Sequence, residues 1–216
     1  MTPDLDPDRV LALSYVPAAR RPALEALWRL DVALGAVLAG GREPMISRIK
    51  LAWWREALEK LDRERAPAEP VLQALAAHVL PAGVTGAELA ELVEAWEVLL
   101  SSEPLTPEEL ALYAAARGRL LFLYSAGLLG GEGPAGAGER WALVDLARHS
   151  NEADAEAAIA AARAQPPTER WPVRLRPLGM LAALAARDAE PGGPRWELQG
   201  APARMLRMLR LRLTGR

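Results

Sequence analysis

TPEELALYAAARGRLLFLYSAGLL, residues Thr106 to Leu129, decides the fold. Thr106 and Glu109 stand three apart ahead of an apolar run. That spacing is a capping box, in which each of the two side chains satisfies a free backbone N–H at a helix start. Beyond it, Leu110, Leu112, Leu120, Leu121, Phe122, Leu123 and Leu128 leave the helix apolar almost all round. Such a helix belongs in the middle of a bundle, because only neighbouring helices can cover every side of it.

Working outward, the punctuation predicts helices on both sides. Pro22 opens a segment to about Ala39, stopped by Gly40-Gly41, and Pro44 opens the next, to about Asp62. The charged run Arg63 to Pro70 reads as a loop, with a short helix after it to about Val79. Thr85 and Glu88 form a second capping box, starting a helix to about Leu100. Gly130 to Gly138 is too glycine-rich for a helix and reads as a linker, not a phosphate loop, since it follows a helix rather than a strand. Helices resume over Glu139–His149, Asn151–Ala164, Arg174–Arg187 and Ala201–Leu213.

Composition agrees. The 216 residues suit one domain, 1–216. Alanine and leucine dominate, and the scarcity of Val, Ile and Thr argues against sheet. There is no cysteine, so disulfides and thiolate chemistry are excluded, and a reducing compartment is the natural fit. A net charge of −2 gives no general attraction to nucleic acid. The acidic start MTPDLDPDR is not a signal peptide, and no run offers the ~20 apolar residues of a membrane span. The expectation is a cytoplasmic protein.

The informative residues are charges on apolar helix faces, with side chains placed about 100° apart. Lys50 falls between the apolar stripes Ile46, Ile49, Trp53, Ala57 and Leu51, Trp54, Leu58, Leu61. Asp31 lies among Leu24, Leu27, Trp28, Leu34 and Leu38. Each reads either as a cavity group facing a ligand or as half of an ion pair. Because the two helices are joined by a short turn, Asp31 and Lys50 are expected at similar heights and paired. Asp145, His149, Glu152 and Glu156 would share a face on one helix, as metal ligands can, but Ser150-Asn151 reads as a break with a new cap. His78 reads as a C-terminal capping group. The last helix is expected to dock through Met205, Leu206 and Leu209. Arg204, Arg207 and Arg210 would then lie in solvent as candidates for peripheral membrane contact.

Three blocks carry a family resemblance. DPDRVLALSYVPAARRPALEALWRLD (Asp6 to Asp31), EPMISRIKLAWWREAL (Glu43 to Leu58) and the tail GAPARMLRMLRLRLTGR resemble squalene/phytoene synthase family proteins. The resemblance implies an all-α bundle of trans-isoprenyl diphosphate synthase (terpenoid synthase) type around a central cavity. It also implies two aspartate-rich motifs holding Mg²⁺ for the joining of prenyl diphosphates. The first motif would fall at Gly35, Ala36 and Ala39, none acidic. The second would fall in RHSNEAD, where His149 and Ala153 replace aspartates and Glu152 or Asp154 keeps an acid. Lys50 replaces an arginine of close relatives, and Arg21 matches a basic position near the diphosphates. With Asp31, these two make the candidate anion or ligand cavity.

The pattern is similar to a non-catalytic branch that includes the complex I assembly factor of this family. A pseudoenzyme binding a protein partner or prenyl-like lipid in assembly or biogenesis, with no cofactor, is one expectation. An active prenyl transferase with atypical Mg²⁺ ligands is the second, and a helical module without a ligand the third.

Overall fold

The computed structural model describes residues 4–40, 43–101, 104–167, 170–192 and 196–216, and among them every regular element is helical. A helix precedes the first one the sequence announces. This α1, Pro7–Ser14, begins where the Asp6 carboxylate accepts the Arg9 backbone N–H at 3.0 Å, with Pro7 in the first turn. α2 spans Arg21–Ala39 and ends at Gly40, whose N–H reaches the Ala36 carbonyl; Gly41 lies outside the described residues. α3 (Pro44–Lys60), α4 (Pro70–His78) and α5 (Gly86–Val98) follow. Both expected capping boxes are formed, at Thr85–Glu88 and Thr106–Glu109.

The deciding stretch is one helical path with a wide turn in it. α6 (Pro107–Tyr113) runs through a π-helical turn, Ala114–Arg119, into α7 (Leu120–Leu128). Leu110, Tyr113, Leu121, Phe122 and Leu128 are buried, as a central helix requires. The buried Trp28 indole donates to Ser125 Oγ at 3.1 Å, tying α2 to α7 through the core. Two of the leucines, Leu112 and Leu123, emerge into solvent, so the path is covered on most sides rather than all.

α8 spans Ala135–His149 and starts inside the stretch expected to be loop. Its glycines are there for contact. A Cβ on Gly118 would fall 2.3 Å from the Gly138 carbonyl oxygen, and one on Gly138 would fall 2.1 Å from that of Gly118. Backbone meets backbone between the π turn and α8, and this contact outweighs the poor helix propensity of glycine. Ser150 is extended and Asn151 caps α9, Glu152–Ala164, so the break expected there is real. α10 (Arg176–Ala189) and α11 (Pro202–Thr214) complete the chain.

Two faces are the reverse of the expectation. α3 packs chiefly on α5 rather than on α2. Leu51, Trp54, Leu58 and Leu61 therefore turn inward, while Ile46, Ile49, Trp53 and Lys50 turn outward. The Asp31–Lys50 pair is thus absent. α11 docks through Met208 and Leu211 with Arg204 buried beside them, whereas Met205, Leu206 and Leu209 are exposed. The reason is electrostatic. Arg204 Nε donates to Asp8 at 2.9 Å and Nη1 to Asp188 at 2.7 Å, two carboxylates from α1 and α10 that no local pattern brings together.

Gly118→Ala should destabilise the fold by ~3 kcal/mol in denaturant unfolding, since neither backbone can yield. Gly127→Ala, where a Cβ meets nothing within 4 Å, should instead stabilise by ~0.5–1 kcal/mol.

Candidate functional site

A charged network lies in the centre of the bundle. Asp31 of α2 is 2% exposed and Arg117 of the π turn 3%. Arg117 Nε donates to Asp31 Oδ1 at 2.7 Å and Nη2 to Oδ2 at 2.9 Å, a two-pronged pairing that suits the guanidinium fork. Nη2 also lies 2.7 Å from Asp145 Oδ2 on α8, and Nη1 donates to the Tyr113 hydroxyl. Arg9 of α1 adds Nη2 to Asp31 Oδ2 at 2.9 Å and Nε to Asp6 at 3.1 Å. Rings complete the shell: the Arg117 guanidinium sits 4.5 Å from the Trp96 ring centroid and 4.8 Å from that of Trp141.

The protonation states follow from this packing. Burial would lower Arg117, but Asp31, Tyr113 and Asp145 together hold it well above its ordinary value. Burial would raise Asp145, yet Arg117, Arg9 and His149 keep its carboxyl below the usual range. Burial pushes the Asp6 carboxyl up against the pull of Arg9, and it pushes the Tyr113 hydroxyl up.

The network forms one wall of a cavity of about 600 Å³, within the roughly 300–1,000 Å³ of small-molecule sites. Val32, Gly35, Leu38, Leu99, Leu105 and Leu146 supply apolar lining, and His149 and Asn151 stand at its edge. Two residues of this wall each keep a buried donor without an acceptor among the described residues, Arg9 at Nη1 and Trp96 at Nε1.

Of the residues singled out from the sequence, Asp31, Asp145, His149 and Asp154 come together here. His149 Nδ1 lies 2.8 Å from the Asp145 carbonyl, and Asp154 accepts the Leu105 N–H and the Asn151 amide, both at 2.8 Å. Glu152 is exposed, apart from the cavity wall. Lys50 is exposed on the outer face of α3, and Arg21 donates to the Ser14 and Val16 carbonyls, so neither lines the cavity. Arg9, Arg117, Tyr113 and Trp96 are site residues that the sequence reading passed over. Arg117 had a visible signal, a guanidinium inside an otherwise apolar helix.

A helical bundle around one cavity, with its charged layer on α2 and α8, frames the comparison with known proteins. The squalene/phytoene synthase family model matches residues 3–165. The chain belongs to the squalene/phytoene synthase family. Its all-helical fold is consistent with the terpenoid synthase arrangement of that family. No curated protein and no solved structure matches it.

The family implies Mg²⁺ held by carboxylates on two facing helices, and the donors here do not fit such a cluster. Gly35 and Ala39 line the cavity where the first motif would stand and bring no side-chain oxygen. Both oxygens of Asp31 are held by guanidinium N–H groups, Asp145 is paired with Arg117, and Asp154 is held by an amide and a backbone N–H. Mg²⁺ takes carboxylate oxygens in near-octahedral geometry with several waters, and both oxygens of Asp31 and of Asp154 and one of Asp145 already carry other bonds.

Arg117→Met strands Asp145 and leaves Asp31 with Arg9 as its remaining partner, and should cost ~3–5 kcal/mol, whereas Arg117→Met with Asp31→Asn should cost less than the sum of the single changes. The pH dependence has a defined sign. The lowered Asp145 carboxyl contributes stability that is full above its unfolded value near pH ~4 and is lost as pH falls through the folded value. Asp145→Asn should therefore lower Tm at neutral pH, with the gap to the parent closing in acid. Asp6, with its raised carboxyl, acts in the opposite sense, so Asp6→Asn should leave neutral-pH stability unchanged or raise it.

Proposed function

We propose that this family member holds a ligand rather than ionising a prenyl diphosphate. In this reading it is a non-catalytic, assembly- or biogenesis-type protein whose cavity takes a prenyl-like lipid with an uncharged, hydrogen-bond-accepting head. One observation carries the reading: Arg9 and Trp96 both belong to the cavity wall, and each keeps a buried donor, Nη1 and Nε1, without an acceptor among the described residues. A buried donor left unpaired costs ~1–3 kcal/mol, so a ligand oxygen that reaches either of them relieves an existing penalty. The leucines beyond offer a path for an apolar chain.

Charge selects the head group. Asp4, Asp6, Asp31, Asp145 and Asp154 face only Arg9 and Arg117 across this cavity, and both guanidinium groups are already bonded to carboxylates. A free diphosphate would bring several negative charges into that excess of acid. A hydroxyl or carbonyl head brings none, and it can accept from either N–H group that it reaches. The alternative, an active prenyl transferase with atypical ligands, requires Mg²⁺ to compete for carboxylates that guanidinium groups now hold.

The test compares a long-chain isoprenoid alcohol with the same chain as its diphosphate plus Mg²⁺. At about a hundred times Kd, the alcohol should add about 2.7 kcal/mol to native stability, or roughly 5–10 °C in Tm for a chain of this size. Trp96→Phe, which keeps the packing and removes the donor, should weaken the response. The diphosphate with Mg²⁺ should shift Tm little. A large Mg²⁺-dependent shift, or Mg²⁺-dependent release of diphosphate, would overturn the proposal in favour of catalysis.

A further inference from the structure

α11 is built with its charge inward and its leucines outward. Arg204 is 5% exposed and held between Asp8 and Asp188, while Leu206 is 68% and Leu213 70% exposed. Met205, Leu209 and Leu213 recur every four residues, and Leu206 lies one step round from Met205, so all four share one outward stripe. An amphipathic helix on a bundle normally turns such a stripe to the core. Here Met208 and Leu211 take that place, and the stripe has no cover among the described residues. Leu198, just ahead of the helix, is 81% exposed as well.

The charges of the stripe's own helix are of one sign. From Leu198 to Arg216 the chain has five arginines and no acid. By helical position Arg210 borders the stripe on one side and Arg212 on the other. Arg210 and Arg216 are exposed, and Arg212 is half-buried with its guanidinium 5.4 Å from the Tyr15 ring centroid. An apolar band with cationic margins matches the boundary between acyl chains and anionic headgroups, where leucines leave water and arginines meet phosphate. A protein partner would need a matching acidic rim around an apolar centre. A second copy of this same helix would set arginine against arginine. No helix among the described residues is long and apolar enough to cross a membrane, so contact would be in the interface plane. α11 lies beyond the residues matched to the family, 3–165, and none of its own residues lines the cavity.

We infer that α11 is a membrane-surface helix, docking the protein on anionic bilayers through Leu206, Leu209 and Leu213 with Arg210 at the headgroups. The contact differs from one made by Arg204, Arg207 and Arg210. Arg204 is locked in the core, and Arg207 is half-buried and donates to the Ala183 carbonyl at 3.0 Å.

Vesicle flotation of the full chain tests this, with phosphatidylcholine alone and with phosphatidylcholine mixed with phosphatidylglycerol. The chain should float with the mixed vesicles at low salt and stay largely behind with the neutral ones. Leu206→Glu with Leu213→Glu should reduce flotation to background while leaving the melting curve unchanged, because both side chains are in solvent. Arg210→Gln should lower the partition roughly fivefold and flatten the salt dependence. Equal flotation of parent and double variant, or none on anionic vesicles, would overturn the inference. So would a parent dimer in size-exclusion chromatography that the double variant breaks without any vesicle binding, which would assign the stripe to a second copy.

Discussion

A guanidinium inside an apolar bundle needs carboxylates placed around it before the bundle can close. Arg117 sets that requirement here. Desolvating it would cost several kcal/mol without partners, and Asp31, Asp145 and the Tyr113 hydroxyl supply them from three different elements. The π turn that carries Arg117 packs its Gly118 on Gly138, and that contact brings α8, and with it Asp145, close to the π turn. The central helix, the glycine contact and the charged layer are therefore one arrangement.

α1 joins this layer to the C-terminal part of the chain. Its neighbouring residues Asp8 and Arg9 serve two networks. Arg9 reaches Asp31 in the middle of the bundle, and Asp8 reaches Arg204 of α11, which also holds Asp188 of α10. Arg148 on α8 adds a bond to Asp188 at 3.2 Å. Short of these contacts α1 is only eight residues long, too short to be stable alone. Ion pairing and burial give it a fixed place, and from that place Arg9 contributes to the cavity wall.

Internal pairing of the cavity carboxylates also bears on the functional reading. In a cavity where carboxylates bind Mg²⁺, their oxygens must be free. Here guanidinium donors hold both oxygens of Asp31, Arg117 pairs with Asp145 and the Asn151 amide bonds to Asp154. The cavity thus combines an apolar side with a wall of internally paired charge.

Residues near one another in the chain wrote most of the secondary structure into the sequence. Both capping boxes, the Asn151 cap, the break at Ser150 and the central path from Thr106 follow from side chains within a turn of their targets. The all-helical class and the family were legible for the same reason, through alanine and leucine content and through contiguous blocks. Asp31 was legible as a charge out of place, but its partners were not. Lys50 had the right helical height, yet α3 leans on α5 and turns it outward, while Arg9 and Arg117 arrive from 22 and 86 residues away. Periodicity marks which residues share a helix face. It does not say whether that face meets the core, because an apolar stripe and a charged one on the same helix compete for it. On α11 two distant carboxylates settled the contest for Arg204, and the leucines were left outside.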